Sequence, residues 1–334
     1  MKRILLIGTG GTIASEATDA GLAPGLTTEE FLRYIPAVKD LCLVECMQIF
    51  NIDSTNMTPD HWLSIVEAVR ENYDQYDGFV VSHGTDTMAY TAAALSYLIQ
   101  DSPKPIILTG AQKPIHMDGT DSKTNLLDSF AVACDGRMAG VMIVFGGNVI
   151  LGTRARKTYT KSFGAFSSIN YPVLGMVQDG RLIPYIQPQV KPGGPVFYDK
   201  LNSKVSLVKL IPGISTVYLS FALTESDAVI VESFGVGGVP AGDKGGFYDR
   251  IRAACALGKI VAMTTQVQNE GSDLAVYNVG HSLKNDLGVL ESYDMTIEAV
   301  VAKLMWALGI TQDNEEVAKL FYTPVAGDML CFPE

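Results

Sequence analysis

The apolar run Ile4-Leu5-Leu6-Ile7 passes without a break into Gly8-Thr9-Gly10-Gly11-Thr12. This junction constrains the chain most. A buried strand must end in a turn whose glycines allow left-handed backbone angles and close approach to a ligand. Thr12 stands at the tip, where its hydroxyl can be a nucleophile once a base activates it. The turn taken alone suits a dinucleotide-binding loop or a plain βα connection equally well. The fingerprint G-x-G-x-x-G, started at Gly8, needs a third glycine at 13, but the chain has Ile13 there, so the close helix–strand packing that glycine permits is lost. Residues 14–27, with Ser15, Thr18, Asp19, Gly21, Pro24 and Gly25, have the composition of a loop. A long loop directly after a candidate nucleophile predicts an active-site lid.

With 334 residues, 47% of them hydrophobic and 18% charged, the chain reads as an ordered globular protein of two domains. A net charge of −11 argues against a nucleic-acid partner. Ile4–Ile7 is too short for the apolar core of a signal peptide, and no run is long enough to cross a bilayer. A cytoplasmic location without membrane contact is expected. Five cysteines, at 42, 46, 134, 255 and 331, form no disulfide framework, and the close pair Cys42 and Cys46 reads as buried free thiols. The four histidines are scattered and no metal-ligand spacing occurs, so neither metal nor cofactor is expected.

Short apolar runs at Ile4–Ile7, Leu43–Phe50, Phe79–Val81, Ile106–Leu108 and Val141–Phe145 alternate with helical periodicity. One helix carries Trp62, Ile65, Val66 and Val69 behind Thr58 as cap and Pro59 at the first position. Others carry Met88, Ala92, Leu95 and Ile99, and Leu126, Leu127, Phe130 and Ala131. The pattern predicts an α/β fold: a mostly parallel sheet flanked by helices over 1–187, a linker over 188–212, and a smaller α/β domain over 213–334. In the latter, Val217–Phe221, Ala228–Glu232 and Ile260–Thr264 read as strands, and Tyr248–Ala256 and Ile297–Leu308 as helices.

Ligands of parallel sheets bind beyond the carboxyl ends of the strands. Those ends carry Thr12, then Asp53-Ser54-Thr55, then His83-Gly84-Thr85-Asp86-Thr87, then Gly110-Ala111-Gln112. The fifth leads through Gly146-Gly147-Asn148 to Arg154-Ala155-Arg156-Lys157. Any one of these could simply cap the next helix, as Asp86 or Thr85 could. Five converging on one edge predict a pocket. Lys157 can act as base only when its amine is neutral, which burial favours and a carboxylate such as Asp86 opposes. Asp86 suits a substrate ammonium, and Ser54 with backbone N–H groups suits a carboxylate, so the set fits hydrolysis of an amino-acid amide.

These residues closely resemble the bacterial L-asparaginase family, in its cytoplasmic type I branch. The resemblance rests on Gly8-Thr9-Gly10-Gly11-Thr12-Ile13-Ala14 and His83-Gly84-Thr85-Asp86-Thr87, with support from Asp53-Ser54, Thr109-Gly110-Ala111-Gln112 and Lys157, and it spans essentially the whole chain. It implies conversion of L-asparagine to L-aspartate and ammonia, with Thr12 as acylated nucleophile and Thr85, Asp86 and Lys157 as the second catalytic group. It further implies that Asp53, Ser54, Gly11 and Gly84 bind substrate with Asp86, that N–H groups near Gly11 and Thr85 stabilise the oxyanion, and that Ala111 receives the side-chain amide. A homodimer or homotetramer is implied, with the smaller domain near another subunit's site, and a regulatory asparagine site around Thr265–Gly271. The chain departs from many members in having Leu22 at the place of a lid tyrosine and Gly238 after the second-domain glycine turn. Three other functions compete. One is the ammonia-releasing subunit of a tRNA-dependent amidotransferase, which the acidic charge disfavours. An inactive amino-acid sensor is opposed by the intact Thr12, Thr85 and Lys157. Ile13 opposes a nicotinamide oxidoreductase.

Overall fold

In the computed structural model, which describes residues 1–18, 21–240 and 246–330, the chain divides into two compact units, Met1–Asp199 and Lys200–Glu334. In the first, β1 (Arg3–Gly10) is followed by the paired strands β2 (Ser15–Thr18) and β3 (Gly21–Pro24), then α1 (Thr28–Leu32), β4 (Leu43–Ile52), α2 (Pro59–Asn72), β5 (Gly78–Ser82) and α3 (Met88–Leu98). Next come β6 (Ile99–Gln100), β7 (Pro105–Thr109), α4 (Ser122–Asp135), β8 (Gly140–Phe145), β9 (Asn148–Leu151), β10 (Ala155–Lys157) and β11 (Phe166–Ser168). The strands β12 (Gly175–Gln178), β13 (Arg181–Pro184) and β14 (Val196–Phe197) complete the unit.

Eight strands form one sheet in the order β13-β12-β9-β8-β7-β5-β1-β4. All five apolar runs are strands of it, and the pairs β4–β1, β1–β5, β5–β7 and β7–β8 are parallel. Ile4, Leu6 and Ile7 are completely buried, as expected of a strand inside a sheet covered on both faces. The three helices occur where periodicity placed them, except that Ile99, expected at the end of the second, begins β6. At the start of α2, Pro59 follows Thr58, whose backbone N–H donates to His61 Nδ1 at 3.1 Å. Residues 14–27, expected as a loop, contain the antiparallel ribbon β2–β3, with Ser15 opposite Pro24 and Thr18 opposite Gly21. Residues 19 and 20 lie outside the described residues.

Helix α4 covers the sheet with Leu126, Phe130 and Val132. On the same helix Asp128 is buried, and burial alone pushes its carboxyl up to about 6.

The second unit has a parallel sheet in the order β15 (Val205–Lys209), β16 (Ala228–Ser233), β17 (Ile260–Thr265) and β18 (Leu290–Glu291). Helices α5 (Thr216–Glu225), α6 (Phe247–Ala256), α7 (Asn278–Asn285), α8 (Ile297–Ile310) and α9 (Asn314–Tyr322) accompany it. Chain 217–221, expected as a strand, lies instead in α5. The Ser215 side chain accepts from Val217 N at 3.3 Å to cap the helix. The buried residues Leu219, Ala222 and Leu223 recur at helical spacing. Val217, Tyr218 and Phe221 on the other side are each 67% exposed. The strand expectation followed from four apolar residues in five, a run that period alone cannot distinguish from an apolar helix. No helix among the described residues is long and apolar enough to cross a membrane.

Asp128 makes a testable prediction. Its folded pKa is raised above the ordinary 3.8, so the unfolded chain binds fewer protons between that value and about 6. The buried carboxyl therefore lowers stability progressively as pH rises through this window, and fully above it. Asp128→Asn removes that cost. We expect a gain of about 2–3 kcal/mol at pH 8, read as a higher denaturation midpoint, that vanishes near pH 4. An equal effect at both pH values would contradict the assignment.

Candidate active site

Three strand ends meet with almost no space between their backbones. Gly11 leaves β1 at φ 85° and ψ 178°. Its N–H donates to Ile52 O at the end of β4 at 3.0 Å. A Cβ built on Gly11 would lie 2.4 Å from Gly84 N, and one on Gly84 would lie 2.6 Å from Ser54 Cβ. Only glycine fits at either place. The loops after β1, β4 and β5 are thereby pressed together, and they enclose a small pocket of about 70 Å³. Gly11, Thr12 and Ser15 line it from the first loop, Asp53 and Ser54 from the second, and Gly84, Thr85 and Asp86 from the third.

Thr12 opens a single 3-10 turn, Thr12–Ala14, anchored by the fully buried Ile13. Ser15 Oγ donates to Gly11 O at 3.0 Å and closes the turn. Among the described residues, no hydrogen bond engages the Thr12 hydroxyl. Position 22, the departure from the family's tyrosine, pairs with Ala17 in the ribbon, and its side chain lies outside the described residues.

Asp53 does act as a cap: its Oδ1 accepts from Thr55 N at 2.9 Å and Thr55 Oγ1 at 3.0 Å. Asp86 and Thr85 do not. The N-cap position of α3 is Thr87, whose hydroxyl donates to Ser54 O at 2.8 Å. Thr85 and Asp86 instead meet Lys157, whose Nζ donates to Thr85 Oγ1 at 2.7 Å and to Asp86 Oδ1 at 2.6 Å. The lysine side chain is 17% exposed and that of Asp86 59%. The amine is thus nearly enclosed while the carboxylate opens to solvent.

Lys157 arrives by a route the strand–helix pattern did not anticipate. The chain turns back after β8 through Gly146 and Gly147, both at positive φ, into the antiparallel β9. It then passes along α3 into β10, whose last residue is Lys157. Ala111, after β7, is 1% exposed and does not line the pocket.

The buried side of the third loop is held by His83. Burial pushes its imidazole down to about 4, so it is neutral. Its Nδ1 lies 2.7 Å from Gly84 O, which can only accept, so Nδ1 carries the proton. Its Nε2 then accepts from Thr91 Oγ1 at 2.9 Å, and Thr91 accepts from Trp62 Nε1 at 3.0 Å. This fixes the Gly84 carbonyl and with it the Gly84–Thr85 peptide. Asp121 and Asn125, near the start of α4, were not among the expected site residues, yet they hold the neighbouring loops. Asp121 accepts from Gln112 N and Lys113 N, while Asn125 donates to Gly110 O at 2.9 Å and accepts from Gly146 N at 3.0 Å. Their only signal is a polar pair four residues apart, on the face that otherwise packs the core.

In the second unit Thr265 ends β17. Its hydroxyl donates to Gly235 O at 2.5 Å and accepts from Val267 N at 3.0 Å. No cluster of metal-ligating side chains occurs among the described residues.

Known proteins resemble this chain over nearly its whole length. Residues 3–190 match the family model "Asparaginase, N-terminal" and residues 204–321 match "Glutaminase/Asparaginase C-terminal domain". The chain is 37% identical to an L-asparaginase of Thermococcus kodakarensis, over 98% of this chain and 99% of that one. The solved structure of the thermostable L-asparaginase from that organism superposes with a TM-score of 0.93, covering 98% of this chain and 99% of that one. Identity is 32% to L-asparaginase 1 of Escherichia coli K12, over 98% of each chain. It is 35% to a glutamyl-tRNA(Gln) amidotransferase chain of Pyrococcus horikoshii, covering 98% of this chain and 76% of that one. On both family models and at this identity across nearly its whole length, the chain belongs to the asparaginase family.

Proposed function

We infer that this protein hydrolyses L-asparagine to L-aspartate and ammonia through an acyl-enzyme on Thr12. One observation carries the reading: Lys157 bonds at once to Thr85 and Asp86, and these two share a small polar pocket with Thr12, Asp53 and Ser54. In the first half-reaction Thr12 Oγ attacks the side-chain amide carbon. The C–N bond breaks, and ammonia leaves with the proton Thr12 gives up. In the second, water adds to the ester with Thr85 and Lys157 handling its proton, and aspartate departs while Thr12 regains its hydrogen. Asp86 and Asp53 hold the α-ammonium, Ser54 the α-carboxylate, and N–H groups near Gly11 and Thr85 the developing oxyanion. The segments 14–18 and 21–27 close over the bound substrate.

The amidotransferase reading is set against this one by the 35% identity to the Pyrococcus horikoshii chain. Activity on free asparagine with the isolated protein separates them. We further assign the protein to the cytoplasm, where the free thiols of Cys42, Cys46, Cys134 and Cys255 suit the reducing conditions. We also assign it a homodimeric or homotetrameric assembly. The row Val217, Tyr218 and Phe221 on α5 gives that assembly an apolar face to bury.

Purified protein should release ammonia from L-asparagine, and from L-glutamine more slowly, since one methylene alters discrimination by about 1–3 kcal/mol. No ammonia from asparagine would end the proposal. Thr12→Ala, Thr85→Ala and Lys157→Ala should each lower kcat by roughly a thousandfold or more, and pairs of them little further, as groups acting together do. Near-normal turnover by Thr12→Ala would remove the nucleophile. Light scattering should give two or four chains per particle, and a single-chain mass would contradict the assembly.

A further inference from the structure

We propose that Gln112 is a positioning residue for the Lys157–Thr85 pair, fastening the hairpin that carries the lysine to the loop that carries the threonine. The proposal rests on the asparaginase reading only where it invokes turnover.

Lys157 needs such a device. It ends a strand of three residues, and the chain beyond it runs through an exposed loop to β11, with Tyr159 57% exposed and Phe163 42% exposed. The base of this hairpin is closed by Thr158 N donating to Ala165 O at 2.8 Å and by the Thr158–Ser167 hydroxyl contact at 2.7 Å. Its tip receives two bonds from a single side chain: Gln112 Nε2 donates to Thr160 O at 3.2 Å and to Ser162 O at 3.1 Å. Carbonyls can only accept, so both must face the amide nitrogen. Oε1 is then turned to Thr85 Oγ1, 3.5 Å away. The Thr85 hydroxyl therefore accepts from Lys157 and donates toward Gln112. The contact to Thr85 is long enough to release the proton when Thr85 passes it to Lys157, while the two bonds to the hairpin persist.

Gln112 is itself fixed. Its backbone N–H donates to both oxygens of the buried Asp121, at 3.1 and 2.9 Å, and the neighbouring Lys113 N adds a third bond at 3.1 Å. Lys113 also touches the hairpin, its ammonium standing 5.4 Å from the Phe163 ring centroid. Residues 112 and 113 thus clamp the tip from the rigid start of α4. A long lysine side chain loses much rotamer freedom when held in one place, and a rigid hairpin lowers the further ordering needed in the transition state.

Two substitutions test the clamp. Gln112→Met keeps length and bulk but has no amide. Gln112→Glu keeps an acceptor for Thr85 but turns an oxygen toward the two carbonyls. In both we expect kcat on asparagine to fall about tenfold to a hundredfold, while the Kd for the product aspartate changes by less than about threefold. Amide hydrogens of 158–164 should exchange about fivefold faster or more in both variants, with the rest of the unit unchanged. A structural role alone would lower the denaturation midpoint without this split. Wild-type kcat, or wild-type exchange in the hairpin, in either folded variant overturns the proposal. If the unmodified protein is inert toward asparagine, the functional reading fails and the exchange measurement still decides the clamp.

Discussion

The site depends on a contact that no side chain could survive: the backbone of the loop after β1 against the backbone of the loop after β5. A Cβ on Gly11 would fall 2.4 Å from Gly84 N. The order β5-β1-β4 makes these loops neighbours, and the parallel pairings put all three carboxyl ends on one edge. Without the glycines the loops would be held apart by at least a methyl group, and Thr12, Ser54 and Thr85 would belong to separate surfaces. The strand order supplies adjacency, and the glycines supply distance.

The polar groups around that contact divide into two sets. His83, Asp121 and Asn125 bond to backbone groups of the surrounding loops and hold those loops in shape, and Asp53 caps its own turn through Oδ1. Among the described residues the side chains of Thr12, Thr85, Asp86 and Lys157 make no hydrogen bond to the backbone, and Lys157 joins Thr85 to Asp86, which leaves them available to a reactant. His83 shows the division most clearly. It lies within the conspicuous His-Gly-Thr-Asp segment, yet burial keeps it neutral and both ring nitrogens are occupied, so it positions a peptide rather than moving a proton.

Much of this was legible in the chain itself. The five parallel strands announced themselves as apolar runs bounded by glycine and hydroxyl residues, and their ends named Thr12, Asp53, Ser54, Thr85 and Asp86 as neighbours. Other features were not legible, each for a physical reason. Gly146-Gly147 between apolar runs is a hairpin signal, but the alternation of strands and helices gives no sign that the chain reverses there into β9 before reaching Lys157. Helix α5 is apolar on most sides, which hides its period. The clamp at Gln112 joins residues about fifty positions apart through backbone carbonyls, and a carbonyl leaves no mark in a sequence.

The most direct test of the central claim is to find the acyl group. Protein quenched in acid during steady turnover of asparagine, then digested and weighed by mass spectrometry, should carry an aspartyl ester on the peptide containing Thr12. Such an ester on Thr85 instead would contradict the account. So would its absence from both threonines while ammonia is still being released and added hydroxylamine captures no aspartyl product.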